Sequence, residues 1–272
     1  MQVKDLPTMK KFTFPVYEVV TPVTGKHFFV RAMTVAQESL IRESVVSDAK
    51  RLSIINQIIF ECIEDKQPPY NTMEGFEKNL TNEDRAALMF GLAVSTYGEK
   101  QDYSLKCPKC GADVKGSFLL PEIVELNMYD GDEDLLNKEI TVELPVSKYK
   151  AVLRIPTLYD ERVLTLTKGI SKEVIAKMGN YLVVKKLIIP GVETSKDGES
   201  IEKEYVVDKV IEIYSTLNNL PARDSKYIFK QWTELLGKYS ITLKLPAYCA
   251  SCGEEFTETI DPLMEFFRIM LS

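Results

Sequence analysis

The chain lacks most of the groups that catalysis usually recruits. Among its 272 residues there is one histidine, His27. One imidazole cannot supply a two-histidine metal set, and no Ser–His–Asp or Cys–His–Asn arrangement stands out. Neither G-x-x-x-x-G-K-[ST] nor G-x-G-x-x-G occurs, which removes the commonest phosphate cradles. No apolar run approaches the roughly 20 residues that a bilayer-spanning helix needs. The opening stretch Met1-Gln-Val-Lys-Asp-Leu-Pro-Thr8 has no apolar segment of the signal-peptide kind. A basic excess is also missing: 34 Lys+Arg stand against 40 Asp+Glu, a net charge of -6. That balance gives no general attraction to nucleic acid or anionic membranes. Together the absences predict a soluble, intracellular non-enzyme with no small-molecule substrate, no membrane contact and no nucleic-acid partner. His27, just after a turn, reads as a surface or edge residue.

What is present is a core-forming chain, 45% hydrophobic, with five cysteines. Cys62 continues the stripe Ile54-Ile55, Ile58-Ile59 at i, i+4, i+8 and reads as a buried small hydrophobe. The other four form two pairs, Cys107-Pro-Lys-Cys110-Gly111 and Cys249-Ala-Ser-Cys252-Gly253. Two intervening residues let both thiolates of a pair face one ion, and the following glycine suits a tight turn with positive φ. Strand-like stretches flank each pair: Tyr103–Lys106 and Asp113–Phe118, then Ile241–Leu245 and Glu255–Ile260. The spacing predicts that Cys107, Cys110, Cys249 and Cys252 bind one structural Zn2+. Four thiolates leave no open position for water, so the ion would not be catalytic. The competing reading is two redox-active C-x-x-C motifs.

A repeat accounts for the long interval between the pairs. Aligning Val16–Glu38 with Glu139–Glu161 sets Val19 on Val142, Pro22-Val23 on Pro145-Val146, Arg31 on Arg154, Thr34 on Thr157 and Glu38 on Glu161. Both stretches read as a β-hairpin running into a helix. Thr34 and Thr157 sit at the N-cap, with Gln37 and Asp160 three residues on. Further along, Leu80 and Asp84 meet Leu220 and Asp224 ahead of an amphipathic helix. The shift grows by about 17 residues between these blocks. That growth places an insertion near 192–205, where the polar run Thr194–Glu204 reads as a solvated loop. The predicted fold is α+β: a tandem duplication of a β-hairpin–helices–zinc-knuckle unit, with the two knuckles joined in one zinc-ribbon-like site. The first repeat spans 1–132 and the second 133–272. Tyr129–Asp134 is the linker rather than a calcium loop, because the downstream glutamate is missing. Arg31/Arg154 and Glu38/Glu161 fall at the strand-to-helix junctions and read as structural.

The stretches Leu6-Pro7-Thr8, Tyr17-Glu18-Val19, Pro22, Thr24-Gly25-Lys26, Val30-Arg31-Ala32, Thr34-Val35 and Glu38-Ser39-Leu40 resemble the opening of the T4-type phage baseplate hub family. Asp84, Leu88, Leu92, Ser95 and Gly98, followed by a cysteine pair, resemble it too. Val23 stands where that family carries serine, and Ala32-Met33 where it carries Pro-Phe. The resemblance implies a hub subunit or hub assembly factor. Such a protein would work through contacts with other baseplate or tail proteins, in the host cytoplasm during tail assembly or in the virion baseplate. A second reading is an intracellular zinc-ribbon module that binds nucleic acid or a transcription complex; the acidic balance weighs against it.

Overall fold

In the computed structural model, residues 13–43, 48–131, 134–194 and 200–271 are described. Leu6-Pro7-Thr8 and the linker positions Asp132 and Glu133 lie outside them. The chain opens with a hairpin, β1 (Val16–Val20) and β2 (His27–Arg31), turned at Gly25 with φ 62. Alternation buries Val19, Phe28 and Val30 on one face. Helices α1 (Val35–Glu43) and α2 (Asp48–Cys62) follow. A short β3 (Ile63–Glu64) then adds to β2, and α3 (Met73–Lys78) and α4 (Asn82–Tyr97) complete this part. Strands β4 (Lys100–Lys106) and β5 (Asp113–Leu119) form a ribbon, and β6 (Val124–Asn127) follows.

The rest of the chain follows a similar, not identical, order. Hairpin β7 (Ile140–Glu143) and β8 (Lys150–Leu153) precedes α5 (Leu158–Thr165) and α6 (Lys172–Gly179). Strand β9 (Val184–Thr194) adds to β8, as β3 adds to β2, and pairs on its other side with β10 (Ser200–Val207). Helices α7 (Val210–Asn218) and α8 (Ala222–Leu235) lead to β11 (Ser240–Tyr248), β12 (Glu255–Ile260) and α9 (Pro262–Leu271). The sheets run β1-β2-β3, β10-β9-β8-β7, β12-β11-β6 and β4-β5. The fold is mixed α+β. None of the described helices is long and apolar enough to cross a membrane.

The predicted loop over Thr194–Glu204 is corrected. Residues 200–204 are strand, paired with β9 from Ser200 opposite Thr194 to Glu204 opposite Pro190; residues 195–199 lie outside the described set. β-Branched and aromatic residues at Ile201, Tyr205, Val206 and Val207 overrode the charges between them.

A buried carboxylate at the start of α4 and of α8 ties each of these helices to a hairpin turn. Asp84 Oδ1 accepts the N–H groups of Val23 (2.9 Å) and Thr24 (3.3 Å) in the first turn. Its Oδ2 accepts the N–H and hydroxyl of Thr81 at 3.1 and 3.0 Å, closing the capping box of α4. Burial pushes the Asp84 pKa up, against these donors, which favour the ionised form. Asp224 repeats the contact: its carboxylate accepts Val146 N–H at 2.8 Å and Ser147 N–H at 2.9 Å in the second turn.

Two main cores result. The first surrounds α4, with Ile55, Ile59, Phe76, Leu88 and Leu92 fully buried. It also takes in Ile241, Leu243 and Leu245 of β11 and Phe266 and Ile269 of α9. The C-terminal segment therefore packs against the first half of the chain. The second core holds Leu144, Leu153, Leu187, Ile213 and Ile228, together with Val23 from the first turn. Between them the chain is stitched by polar contacts. Leu158 N–H donates to Leu80 C=O at 2.9 Å. The buried Arg85 guanidinium meets Glu161 at 2.5 Å, and Arg162 reaches the buried Glu77 at 2.9 Å.

Two predictions test this packing. A Cβ at Gly91 would sit 2.1 Å from Val19 Cγ2, so α4 lies directly on β1. Gly91→Ala should cost about 1–3 kcal/mol by overpacking, despite the better helix propensity of alanine, in a denaturant melt. For Asp224, burial opposes the charge, but the N–H groups of Val146 and Ser147 outweigh it and hold the pKa below the usual carboxylate range. Its stabilising effect is therefore full above the unfolded carboxylate's pKa of about 3.9. It is lost as pH falls through the lower folded value. Asp224→Ala should cost about 1–3 kcal/mol at neutral pH, with the difference from the parent chain shrinking in strong acid.

Candidate metal centre

Each cysteine pair sits on a turn built by the same backbone bonds. In the first, Cys107 N–H donates to Ala112 C=O at 2.9 Å and Gly111 N–H to Cys107 C=O at 2.9 Å. In the second, Cys249 N–H donates to Glu254 C=O at 2.8 Å and Gly253 N–H to Cys249 C=O at 2.8 Å. Gly111 and Gly253 share φ 74, and a Cβ at either would meet nothing within 4 Å. Backbone conformation, not lack of space, therefore calls for glycine there. Strands β4 and β5 carry the first turn, and β11 and β12 the second, as the sequence predicts.

The four sulfurs converge, all within 4.8 Å of one another. Two short contacts run between the turns: Cys107 Sγ to Cys252 Sγ is 3.7 Å, and Cys110 Sγ to Cys249 Sγ is 3.6 Å. A tetrahedral four-thiolate site with metal–sulfur bonds of about 2.3 Å has edges of about 3.8 Å. A disulfide needs about 2.05 Å. The spacing therefore fits a shared metal ion, and all four cysteines are free thiols. Cys107 and Cys249 are buried, Cys252 is half-buried and Cys110 is exposed. A small apolar cluster of Val114, Ala247, Leu105 and Phe256 backs the buried pair. Lys109 Nζ meets Glu254 Oε2 at 2.8 Å across the two turns. That ion pair is exposed and stabilises little; no spacing rule in the sequence points to it.

The thiols are not equivalent. Burial opposes the Cys249 charge, but N–H groups of Cys252 and Ser251 and the neighbouring thiols bring its pKa down to about 7. The Glu254 N–H favours the Cys252 thiolate, yet burial and the surrounding sulfurs push that thiol up to about 12. A divalent ion bound by the four thiolates would displace the thiol protons.

The other singled-out residues stand apart from this set. His27 is exposed, with Nδ1 2.9 Å from Glu18 Oε1. Cys62 is fully buried in the first core, where burial raises its pKa to about 11. Arg31 donates to Ala32 C=O at 2.8 Å and to Gln37 Oε1 at 3.4 Å. Arg154 donates to Asp160 Oδ1 at 2.8 Å. Both arginines thus brace the third residue of a capping helix start. Glu38 pairs with Arg42 at 2.8 Å, whereas Glu161 takes the buried Arg85. Nothing in the sequence reading anticipated Arg85, because its partner lies in the other half.

If one ion ties both turns, removing a single ligand must loosen both halves. Cys249→Ser should give one melting transition at lower temperature that no longer responds to a chelator. The parent chain's transition should fall when chelator is added. Loosening confined to the C-terminal segment would contradict a shared site. The loss can be large, since structural sites of this class contribute on the order of 10 kcal/mol.

A family model described as T4 bacteriophage base plate protein matches residues 14–268. No curated protein and no solved structure matches the chain.

Proposed function

The chain belongs to the T4 bacteriophage base plate protein family, and from that premise we propose a hub subunit or hub assembly factor held together by one structural zinc ion. A baseplate protein acts through contacts with other baseplate proteins and is a component of the phage tail. The finer reading is that this chain performs no catalysis and serves as a metal-stapled body in the hub. Cys107, Cys110, Cys249 and Cys252 would be the four ligands. Zinc suits an all-thiolate closed set because it is redox-silent and accepts tetrahedral geometry without penalty. It would contribute rigidity and folding free energy, not chemistry.

The observation that carries the reading is the pair of identically bonded cysteine turns, brought together across a sequence interval of 139 positions to tetrahedral spacing. A tandem duplication would explain why each half of the chain owns half a site. Three equivalences support it beyond the similar element order. Asp84 holds Val23 and Thr24, as Asp224 holds Val146 and Ser147. Arg31 reaches Gln37, as Arg154 reaches Asp160. Thr34 and Thr157 each accept the N–H of that same third residue, at 3.3 and 3.4 Å. The repeats would be 1–132 and 133–272, with the end of the second packed back on the core of the first. The extra length of the second lies in β9 and β10, where the first has only the two-residue β3.

The test has two arms. Metal analysis of the purified chain should return one zinc per chain. Deletion of its gene should leave tails without a completed hub, and restoring the chain should restore the hub. Normal tails without the chain would defeat the hub reading; steeply salt-dependent DNA binding by the purified chain would favour the nucleic-acid reading instead.

A further inference from the structure

We propose that the outer edge of β10 receives an extended strand from another baseplate protein, one carrying basic side chains on the face of Glu202 and Glu204. The inference rests on the baseplate reading and adds a surface and a partner chemistry to it.

Strand β8 pairs with β9 only as far as Ile188, whereas β10 pairs with it out to Thr194. Residues 189–194 and 200–205 thus continue beyond the sheet as a two-stranded ribbon. Such a ribbon is marginal in water and gains stability from a third strand. Apolar side chains stay exposed along β9 and β10: Val192 is 65% exposed, Ile201 55% and Val206 59%.

The ribbon's two edges differ. The β9 edge carries Pro190, which has no N–H to offer an added strand. The β10 edge has no proline from Ser200 to Val207. Its two faces also differ. On one, Tyr205 lies over Gly191, 2.4 Å from where a Cβ would sit, and Lys203 Nζ reaches Glu193 at 3.0 Å. The charges of that face are paired within the ribbon. On the other, Glu202 and Glu204 stand opposite Val192 and Pro190. Glu204 has Lys150 at 3.0 Å, and no basic side chain among the described residues pairs with Glu202.

A second copy gives Glu202 no basic partner, because Lys203, the basic residue of β10, lies one position away and so on the opposite face, and the central registers oppose like charges. Antiparallel pairing of two β10 strands about a twofold axis must centre on one residue. Centred on Lys203, it sets Lys203 against Lys203 and Glu202 against Glu204. Centred on Glu204, it sets Glu204 against itself. Like charges directly opposite are destabilising. A strand from a different protein, with Lys or Arg opposite Glu202 and apolar residues near Ile201 and Val206, meets both requirements. This is strand addition to an open edge, with backbone bonds giving affinity and alternate side chains giving selectivity.

The test uses the full chain with Glu202→Lys/Glu204→Lys. The yield of baseplates containing the chain should drop about ten-fold or more, because the added strand then faces like charge. The isolated variant should keep its melting temperature and metal content. If it does not, Glu202→Gln/Glu204→Gln replaces it and should give a smaller drop in yield. Amide exchange of the parent chain in purified baseplates should show β10 protected beyond its level in the isolated chain. Baseplate yield at the parent level, unchanged β10 exchange, or a β10-linked dimer of this chain would each overturn the proposal. Tails that assemble normally without the chain defeat the baseplate reading itself, which the deletion shows separately.

Discussion

The position of β11 constrains the rest of the molecule. This strand lies late in the chain, yet Ile241, Leu243 and Leu245 are buried in the core built around α4. Its first residues pair with β6, Ser240 opposite Asn127, and its end leads directly into Cys249. Apolar burial therefore decides where the second cysteine turn arrives. Each fully buried Leu or Ile side chain is worth about 1.5–3 kcal/mol, so three on one strand outweigh any exposed ion pair nearby. Packing delivers the thiols to one another, and a metal would lock an arrangement that the core already prefers.

The polar interactions divide by burial. Lys109–Glu254 and His27–Glu18 are exposed and contribute little. Asp84, Asp224 and Arg85 are buried, and each would leave partners unsatisfied if removed. Two of these three fix a hairpin turn to the helix that packs beneath it. The same restraint placed twice keeps the two hairpins in register with their helices. Those helices then set where the strands bearing the cysteines begin. Local capping, core packing and the metal site are thus links in one chain of cause.

Much of this was legible in the sequence because it is local. Thr34 and Thr157 announce helix starts through a residue three positions on, and the structure has both boxes. The C-x-x-C-G turns carry their own geometry, so the four converging cysteines could be named from spacing alone. The Asp84–Asp224 equivalence was visible as a helix-start match, although its bond to the hairpin turn was not. What escaped were features set by distant partners. Arg85 looks like an ordinary surface residue of an amphipathic helix until Glu161 is beside it. The stretch Ile201–Val207 has strand formers interrupted by Glu202, Lys203 and Glu204, and charge masked its period. Asp197-Gly198, a hairpin signal, stood in the sequence beside it. The packing of β11 and α9 on the first core is a tertiary choice that no window of sequence encodes.

The central claim is that one metal ion joins the ends of two repeats through four thiolates. X-ray absorption at the zinc edge on the purified chain measures that ligand set directly. The account predicts a single shell of four sulfurs at about 2.3 Å, with no nitrogen or oxygen in the first shell. A shell with two sulfurs completed by lighter atoms would mean that each turn binds alone, and would contradict it.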